Sequence, residues 1–568
     1  MQQSLARFRR VVRLSLAIAA LLAPSIGTAQ SAKLTAGDGA ACDYFGEFVA
    51  VSGDTAVVGA PFDDICETND QDQGSAYIFV RTGTVWIEAA KLTASDGAMD
   101  DRFGSSVSIS GDTVVVGAVL DGDDPVSASG SAYVFVEPVG GWTGNLTETA
   151  KLTASDPTGG AFFGVSVSIR GDTVVAGSSA GSSSIGGAAY VFVKPVNGWA
   201  TMTETAKLTA SNPALGDSLG DSVSISGDTV VAGASGDDDN GMNSGAAYVF
   251  VEPGGGWVTM TETAKLTASD GAEHDSFGGG VGIGGDTVVV GARQDDDNGG
   301  DSGSAYVFVK PGGGWATMTE TAKLTAADGA DGDRLGSSVA ISGDTVVVGA
   351  PRHEICTGNR GSAYVFVEPG GGWGSVPDPQ TGTTKFSASD GAGNDGLGAS
   401  IEISGDTVVA GASGDDIDLN LDQGSAHVFD LPVPAIPSYG LTSDVDAVSH
   451  SAGGTQNLDL QPGTCFAGDF FLVLGTMSGS SPGFPVSPFQ IPLNFDSYFL
   501  TTLAKAPTPL NTLDPAGNGT GKIDIPPGCP LLSTGTTLHH AFLAFDSAAA
   551  FPALSFVSNA VPLSLIGP

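Results

Sequence analysis

The sequence predicts an all-β protein, a seven-bladed β-propeller with four-stranded blades that is followed by a C-terminal β-sandwich-like domain. One segment recurs seven times along the chain, at intervals of 56 to 62 residues. Within each copy, short stretches of alternating apolar and polar residues are separated by glycine and aspartate, which is typical of strands and turns. The 84 glycines and the low charged fraction of 15% also favour β-structure with many turns. Four strands in a repeat of this length are typical of a propeller blade.

Each copy follows the same order, which the second copy illustrates. Its Lys-Leu-Thr-Ala segment is a short strand, and a polar loop leads to a strand that begins at Phe103-Gly104. The pair Gly111-Asp112 predicts a hairpin turn, because glycine adopts a positive φ at little cost. After the next strand an acidic loop leads to a third strand, and a tryptophan precedes the following copy. The seven copies start at Lys33, Lys91, Lys151, Lys207, Lys265, Lys323 and Lys385.

The two ends of the repeat region predict how the ring closes. The seventh copy ends after the strand over Ser425–Asp430, and it lacks both the tryptophan and a following Lys-Leu-Thr-Ala segment. A spare segment, Lys33 to Ala36, precedes the first Phe-Gly pair. We therefore expect this N-terminal segment to form the outer strand of the last blade, since a closed ring has no open sheet edges. An open β-solenoid is the alternative architecture, but its repeats are usually much shorter.

The N-terminus, residues 1–29, is typical of a secretory signal peptide. Four arginines precede an apolar stretch from Leu14 to Ile26, and small residues allow cleavage after Ala29. An uncleaved anchor is the alternative, although the apolar stretch is short for a membrane span. We expect a secreted protein, extracellular or at the cell surface, with the propeller over residues 30–432 and a second domain over 433–568.

The charge of the chain is strongly negative. There are 63 acidic and 22 basic residues, and the formal net charge is −41. Such a surface repels nucleic acids and anionic membranes, so we expect neither a nucleic-acid partner nor membrane insertion. An extracellular protein or a glycan is the expected class of ligand.

The five cysteines favour disulfides over metal sites, because an exported chain meets an oxidising environment. Cys42 and Cys66 lie in the first copy, and Cys465 and Cys529 are the two cysteines of the C-terminal domain. The simplest pairing joins the members of each pair and leaves Cys356 over, although sequence alone does not fix the connectivity.

A Phe-Gly or Leu-Gly pair that is followed by Gly-Ala-Pro marks two of the copies, and the others carry Gly-Ala or Gly-Ser at the second position. This pattern resembles the FG-GAP repeats of integrin alpha-subunit propellers, and it is also similar to bacterial secreted FG-GAP proteins. The resemblance covers Lys33 to Leu431 and implies the propeller fold, but a fold of this kind hosts many functions. The two complete motifs are Phe45-Gly46 with Gly59-Ala60-Pro61, and Leu335-Gly336 with Gly349-Ala350-Pro351.

The sequence departs from the integrin pattern at the calcium loop. Integrin-type repeats carry Asp-x-Asp-x-Asp-Gly-x-x-x-Asp between the first and second strands, whereas this chain has a tight turn such as Ser110 to Thr113. Ca²⁺ needs six to eight oxygens, and so short a turn cannot surround it. The calcium ligands that the resemblance implies therefore have no counterparts here.

Acidic residues concentrate instead in the loop between the second and third strands, which should share one face of the ring with the loop that precedes the first strand. One interpretation is a calcium site, since carboxylate and amide oxygens at this spacing suit Ca²⁺. The other is that these residues are good loop formers that keep the surface soluble. The third copy has no acid in this loop, and the sixth has Glu354 alone. The candidate ligands are Asp237, Asp238, Asp239, Asn240, Asp295, Asp296, Asp297, Asn298, Asp301, Asp415, Asp416 and Asp418.

The C-terminal region changes in composition after a proline-rich break and has few charged residues. Apolar stretches between glycine and proline turns predict strands, and a β-sandwich is the expected form. A capping or spacer role and a role in surface attachment or glycan binding are both open. The predicted strands are 470–475, 497–503, 521–525, 540–545 and 560–565.

No catalytic motif is apparent, and the histidines are scattered, so structural roles are expected for them and the chain is not expected to be an enzyme. The leading hypothesis is an exported binding or adhesion protein that uses the acidic face, with or without Ca²⁺ as a cofactor. The alternatives are an extracellular hydrolase or lyase with its site at the propeller channel, and a purely structural envelope protein. The histidines are His274, His353, His427, His450, His539 and His540.

Overall fold

A computed structural model describes residues 30–431, apart from 65–71, 123–128, 158–159, 180–185, 355–357, 376–379, 383 and 419, and it describes the strands of the C-terminal region. The predicted signal peptide, residues 1–29, lies outside the described residues. Within the described part, none of the helices is long and apolar enough to cross a membrane. The chain divides into two units, residues 1–431 and 432–568.

The first unit is a seven-bladed β-propeller, which confirms the predicted fold class. Each blade is an antiparallel sheet in which the strands follow one another as inner, second, third and outer strand. We number the blades 1 to 7 in the order of their inner strands along the chain. The inner strands are Phe48–Ser52, Phe103–Ser110, Phe163–Arg170, Leu219–Ser226, Phe277–Gly284, Val339–Ser342 and Ile401–Ser404.

The other three strands of each blade follow in the same order. The second strands are Thr55–Ala60, Thr113–Ala118, Thr173–Ser178, Thr229–Ala234, Thr287–Ala292, Thr345–Ala350 and Thr407–Ala412. The third strands are Ser75–Thr82, Ser131–Val136, Ala188–Val193, Ala246–Val251, Ser304–Val309, Ser362–Val367 and Ser425–Asp430. The outer strands are Val85–Thr93, Ala150–Thr153, Ala206–Thr209, Ala264–Thr267, Ala322–Ala326, Thr384–Phe386 and, for blade 7, Gln30–Leu34.

The N-terminal strand closes the ring, as predicted. Gln30–Leu34 pairs antiparallel with the third strand of blade 7, and Lys33 lies opposite His427. The first and last parts of the repeat region are therefore joined by backbone hydrogen bonds, and blade 7 gains the outer strand that its own copy lacks.

Five blades carry an additional short strand, which we call the strap. Each strap belongs to the segment that leads to the next outer strand, and it pairs in parallel with the outer strand of the blade before. Straps cover the outer sheet edges, which would otherwise be open to pairing with another chain. The single 3₁₀-helix among the described residues, Trp373–Ser375, precedes the last strap. The straps are Gly144–Thr147, Met202–Thr203, Met260–Thr261, Met318–Thr319 and Gln380–Gly382.

A serine and a glutamate clamp the strap segment to the preceding blade. The Glu148 carboxylate accepts hydrogen bonds from the backbone N–H and the hydroxyl of Ser95, at 2.9 and 2.6 Å. Where the serine is replaced by Ala327, the glutamate position is Gly382, so both partners are absent together. The same clamp joins Ser155 to Glu204, Ser211 to Glu262, and Ser269 to Glu320.

The apolar core lies between neighbouring blades. In one such layer, Val57 and Ile78 of blade 1 pack with Phe103 and Phe135 of blade 2, and all four are buried. The Phe103 ring meets the Phe135 ring edge to face at 5.9 Å. Since each layer draws on two blades, no blade buries its apolar faces alone.

The glycines of the repeat motif allow the blades to approach each other closely. Gly104 of the Phe-Gly pair in blade 2 has a φ of 97°, and its carbonyl lies directly against Gly59 of the Gly-Ala pair in blade 1. A Cβ on Gly59 would overlap that carbonyl oxygen. The same contact recurs at Gly117 with Gly164, Gly177 with Gly220, Gly233 with Gly278, Gly291 with Gly336, Gly349 with Gly398, and Gly411 with Gly46.

Serine hydroxyls accept hydrogen bonds from the backbone N–H groups at the free edge of the inner strands. The Ser108 hydroxyl of blade 2 accepts a hydrogen bond from the Ile169 N–H of blade 3 at 3.1 Å. Ser166 and Ser222 make the same contact to the blades that follow theirs. Inner strands are sheet edges, so their N–H groups need such partners. This explains why serine alternates with apolar residues in the inner strands.

The second unit consists of β-strands in three sheets. Four of the five predicted strands are confirmed, and the fifth, 497–503, lies outside the described residues. The β-sandwich itself remains a prediction. The strands are Leu441–Ser443, Ala447–Ser449, Gly454–Leu460, Phe470–Thr476, Phe484–Val486, Phe489–Ile491, Leu510–Thr512, Gly519–Ile525, Thr537–Asp546, Ala553–Val557 and Val561–Ile566.

Candidate functional site

The loops between the second and third strands lie beside the loops that lead from an outer strand to the next inner strand. In blade 4, the Gly236 N–H donates to the Asp217 carbonyl across these two loops at 3.1 Å. In blade 2, the Leu120 N–H donates in the same way to the Asp101 carbonyl. Both loops therefore share one side of the ring, as predicted, and we call this side the acidic face.

A lysine ammonium lies at the centre of the acidic cluster in blade 5. Lys323 Nζ is 2.7 Å from Asp270, 3.0 Å from Asp295 and 2.6 Å from Asp297. The Tyr306 hydroxyl donates to Asp295 at 2.7 Å, and the ammonium lies 5.0 Å from the centre of the tyrosine ring. Burial disfavours the ammonium, but the three carboxylates outweigh it and raise the pKa of Lys323. The cluster is thus an internally compensated group of charges on the acidic face.

The same arrangement recurs around the ring. In every blade the lysine belongs to the outer strand. In blades 1, 2, 5 and 7 it binds an aspartate of the loop between second and third strands and another that follows the preceding blade's outer strand. In blade 4 both aspartates come from the loop, because Asn212 stands at the other position. Blade 3 has Asp156 alone as the lysine's acidic partner, because its own loop has no acid at the equivalent position. The groups are Lys91 with Asp38 and Asp63, Lys151 with Asp96 and Asp121, Lys265 with Asp237 and Asp239, and Lys33 with Asp390 and Asp415.

Five of the predicted calcium ligands contact these lysines. Two lie in blade 4, two in blade 5 and one in blade 7, and their carboxylates are bound by an ammonium. The lysines are not among the predicted site residues, because the Lys-Leu-Thr-Ala segment by itself indicates only the start of a strand. The five ligands are Asp237, Asp239, Asp295, Asp297 and Asp415.

The other predicted ligands do not converge with them. Asp238, Asp296 and Asp416 accept backbone N–H groups of their own loops, at 2.6, 2.8 and 2.9 Å. These carboxylates therefore shape the loops. Of the remaining candidates, the Asn298 N–H donates to a serine hydroxyl, Asp301 lies 3.6 Å from Arg334, Asp418 has a φ of 57°, and Asn240 is exposed.

The fit of Ca²⁺ can be judged at the cluster of blade 5. The carboxylate oxygens of Asp270, Asp295 and Asp297 lie within 4.8 Å of one another, which suits a metal ion. However, the Lys323 ammonium already occupies the space between them, and a divalent cation would have to displace it. Three carboxylates also supply fewer oxygens than the six to eight that Ca²⁺ prefers. The residues do not fit Ca²⁺ beside the lysine, and calcium binding remains a prediction.

Histidines replace one member of the group in two blades. His353 of blade 6 takes the place of the loop aspartate, with Nδ1 2.9 Å from Asp333 and Nε2 3.0 Å from Lys385 Nζ. His427 of blade 7 takes the place of the tyrosine, and its Nε2 lies 2.9 Å from the Ser425 hydroxyl. Both rings are buried in the blade, in the structural position expected for them.

A second set of aspartates lies just before the inner strands. The Asp101 carboxylate accepts the Ala98 N–H at 2.6 Å, and Asp275 accepts the Ala272 N–H in the same way. Burial, reinforced by neighbouring aspartates, raises the pKa of Asp43 to about 7 and those of Asp101 and Asp275 to about 6. These carboxyls are consequently easier to protonate in the folded chain than in the unfolded one.

The two sets of aspartates predict a stability maximum at mildly acidic pH. The buried carboxyls with raised pKa contribute stability that is complete below 3.8 and is lost as the pH rises through 6 to 7. The lysine-bound aspartates Asp38, Asp96 and Asp270 have lowered pKa values, so their contribution is present above 3.8 and lost as the pH falls below it. We expect the melting temperature to peak between about pH 4 and 5 and to fall towards pH 8.

Calorimetric melting from pH 3 to 8 tests this prediction. The Asp101→Asn, Asp275→Asn double variant keeps the acceptor for the backbone N–H and removes the titration, so its melting temperature should fall less between pH 5 and 8. A melting temperature that rises over this interval would contradict the assignment.

The opposite face is also acidic, although the sequence predicts only one acidic face. Each two-residue turn between inner and second strands carries an exposed aspartate. In blades 1, 3 and 5 a basic residue pairs with it, as Arg81 does with Asp54 at 2.6 Å. In blades 2, 4 and 6 the basic position is a glutamate instead. Negative charge is therefore distributed over both faces, and only the acidic face has the buried lysines.

The structure does not show the predicted disulfides. Cys42 is exposed and carries a free thiol, so its bridge to Cys66 is not seen. Cys66, Cys356, Cys465 and Cys529 all lie outside the described residues.

Comparisons with known proteins concern the propeller. No curated protein matches the chain. The periplasmic gluconolactonase of Pseudomonas aeruginosa is similar at 13% identity with a TM-score of 0.38, over 61% of this chain and 86% of that one. The β-propeller domain of the trilobed protease from Pyrococcus furiosus is similar at 9% identity with a TM-score of 0.34, over 64% of this chain and 89% of that one. Neither likeness informs on the activity of this chain.

The family model of the FG-GAP repeat matches the chain seven times, once for each copy. The matches together cover more than half of the chain, over residues 28–79, 86–135, 146–192, 202–250, 260–308, 318–366 and 381–429. The chain therefore belongs to the FG-GAP repeat family.

Proposed function

We propose that this protein is an exported, non-enzymatic binding protein of the adhesion type that engages its partner through the acidic face. The observation that carries the proposal is the variation of loops on that face. The loop between second and third strands ranges from nine residues (179–187) in blade 3 to fourteen (61–74) in blade 1. Loops that vary on a constant scaffold are where binding functions reside.

The opposite face is far more uniform. All seven copies have the same Gly-Asp turn between inner and second strands, and blades 2 to 6 share a Pro-x-x-Gly-Trp segment between third and outer strands. A uniform face repeats one surface seven times, whereas the acidic face offers a different surface at each blade. This contrast supports the acidic face as the contact surface.

The charges that remain available on the acidic face indicate the chemistry of the partner. The inner aspartates are compensated by lysines, but an outer set in blades 4 and 5 is exposed to solvent. We infer a partner that carries positive charge, such as a basic extracellular protein or an amino-bearing glycan. The exposed carboxylates are Asp238, Glu273, Asp296 and Asp331.

The proposed binding does not require calcium. The aspartates that would hold it are bound by Lys265 and Lys323 in the two blades concerned. Binding is therefore expected to persist in the presence of a chelator. Export rests on residues 1–29, and fractionation of the producing cells tests it directly.

Surface plasmon resonance of the full chain on chitosan, poly-L-lysine, dextran and heparin tests the proposal. We expect binding to the two cationic polymers, weakened by salt, and none to dextran or heparin. The quadruple variant Asp238→Asn, Glu273→Gln, Asp296→Asn, Asp331→Asn should lose about tenfold in affinity, which corresponds to 1.4 kcal/mol.

A matched control neutralises four exposed aspartates of the opposite face, and it should leave the affinity nearly unchanged. If neither cationic polymer binds, or if both variants lose affinity equally, the acidic face is not the contact surface. The control substitutions are Asp112→Asn, Asp228→Asn, Asp344→Asn and Asp406→Asn.

A further inference from the structure

The inner strands surround a central channel that contains a cavity of about 480 Å³ next to the Gly-Asp turns. Serine, glycine and isoleucine make up most of its lining. Two charged residues, Arg170 and Glu402, line it as well. A volume of this size falls within the range of small-molecule sites, which is about 300 to 1,000 Å³.

Glu402 differs in residue type from the residues at the equivalent position of the other six inner strands. Small residues occupy the equivalent position in the other six blades, and none of them carries a charge. The serines among them accept a backbone N–H of the next blade, as Ser108 does, so a small side chain is sufficient for the fold. The equivalent residues are Ala50, Ser108, Ser168, Ser224, Gly282 and Ala340.

Arg170 departs from the repeat two residues further along the inner strand, nearer to the channel mouth. Its equivalents are serine in five blades and glycine in one. Ser110 and Ser226 accept the N–H of Gly171 and Gly285 from the following blades, at 3.0 and 3.2 Å. A guanidinium has no acceptor, so Arg170 cannot replace this contact. The fold therefore gains nothing at this position from an arginine.

The two charges have no partners of opposite sign within the described part of the chain. Arg170 takes part in none of the ion pairs there, and the one hydrogen bond to the Glu402 carboxylate comes from the Ile403 N–H at 3.3 Å. Burial raises the pKa of the Glu402 carboxyl to about 7, because no cation compensates it. A buried charge without a partner is costly, so a cationic group of a ligand would offset the cost at Glu402, whereas Arg170 is exposed to solvent and bears no such cost.

The two residues belong to blades on opposite sides of the ring. Arg170 belongs to blade 3 and Glu402 to blade 7, which are three blades apart along the shorter way round a seven-membered ring. No pair of blades is further apart. A ligand that lies across the cavity and carries its own charges at its two ends can consequently reach both residues.

We propose that this channel cavity binds a small zwitterion whose charges lie at the two ends of a short chain, an ω-amino acid, with its carboxylate on Arg170 and its ammonium on Glu402. The planar guanidinium matches a carboxylate in a two-bonded geometry. The hydroxyls of Ser168 and Ser224 already accept an N–H through oxygen, so their hydrogens remain free to donate to the ligand. This site is independent of the acidic face.

Isothermal titration of the full chain with a series of ω-amino acids of increasing length, from 4-aminobutanoate to 8-aminooctanoate, tests the proposal. At least one is expected to bind with a Kd below about 1 mM. The N-acetyl derivative of that amino acid has no ammonium and its carboxamide has no carboxylate, and each should bind at least tenfold more weakly.

The matched variants restore the repeat's own residue. Glu402→Ser should lose the preference for the free amine over the N-acetyl form, and Arg170→Ser the preference for the acid over the carboxamide. The double variant should show no binding. Because serine occupies the equivalent positions in other blades, the melting temperatures should stay near that of the native chain. Lys194→Ser, which removes a positive charge outside the channel, should leave the Kd unchanged.

Three outcomes would overturn the proposal. The first is that none of these ω-amino acids binds the native chain at about 10 mM. The second is that the double variant binds as tightly as the native chain while keeping its melting temperature. The third is that both blocked derivatives bind as tightly as the free amino acid.

Discussion

The Gly411→Ala substitution is expected to reduce the free energy of unfolding by about 3 kcal/mol or more. Gly411 of blade 7 lies directly against the carbonyl of Gly46 in blade 1, and an added Cβ would overlap that oxygen. Gly46 itself has a φ of 94° and lies close to the carbonyl of Ser425, so it has little room to move away. Because this contact joins the last blade to the first, the strain falls on the closure of the ring.

Urea unfolding followed by tryptophan fluorescence measures the effect. Gly254→Ala is the matched control, because no heavy atom lies within 4 Å of the position of its Cβ and its φ is not in the left-handed region. A surface change of this kind should alter stability by no more than about 0.5 kcal/mol. Equal effects of the two substitutions would show that the glycine pairs are not tight contacts.

The propeller could be predicted from the sequence because the pattern of strands and turns that defines one blade recurs seven times. Seven copies of one pattern define the strands, and the missing outer strand of the last copy matches the spare segment at Lys33. Ring closure therefore follows from counting strands, and the pairing of Gln30–Leu34 with Ser425–Asp430 confirms it.

The straps could not be predicted in the same way. Met260–Thr261 is two residues long, which is too short for any periodic pattern. Its parallel pairing with the preceding blade depends on the position of that blade in space, which the local sequence does not encode.

Only the acidic members of the charge clusters on the acidic face were predicted from the sequence. The sequence identified the aspartates, but their cationic partner is distant along the chain: Lys323 lies 28 residues from Asp295 and 53 from Asp270. Three separate elements must meet before the ion pairs exist. A usable signal was present, since a lysine occupies the same place in all seven copies although the chain has few basic residues.

Glu402 and Arg170 illustrate a different kind of omission. Each is a single departure from the repeat, and averaging over seven copies hides it. Only the ring places these two residues in one cavity, since they are more than 200 positions apart in the sequence.

The Lys323→Ala substitution is expected to cost about 3 to 5 kcal/mol of stability at neutral pH, because it leaves buried charge without compensation. Lys323 is only 5% exposed, and its ammonium is the group that separates three carboxylates. Without the lysine, the three carboxylates repel one another, and the pKa of Asp270, which the ammonium holds below its usual value, rises. The loss of stability should consequently be largest at neutral pH and smaller at acidic pH.

Lys310→Ala is the matched control, since its ion pair with Asp286 is largely exposed. A pair of this kind contributes about 1 kcal/mol at most. Thermal melting of both variants and the native chain, at pH 4.5 and 7.5, separates the two cases. Equal losses for Lys323→Ala and Lys310→Ala would contradict a central role for the buried ammonium.

The same variant decides the question of calcium. Once the ammonium is removed, the oxygens of Asp270, Asp295 and Asp297 can accept a divalent cation in its place. Ca²⁺ at ten times its Kd would then restore about 1.4 kcal/mol to the variant, while the native chain should show no change in melting temperature with Ca²⁺ or chelator. If Ca²⁺ instead stabilises the native chain as strongly as the variant, the acidic loops bind the metal without displacing the lysine. In the expected case, the lysine of each blade performs the neutralising role that a metal ion would otherwise have.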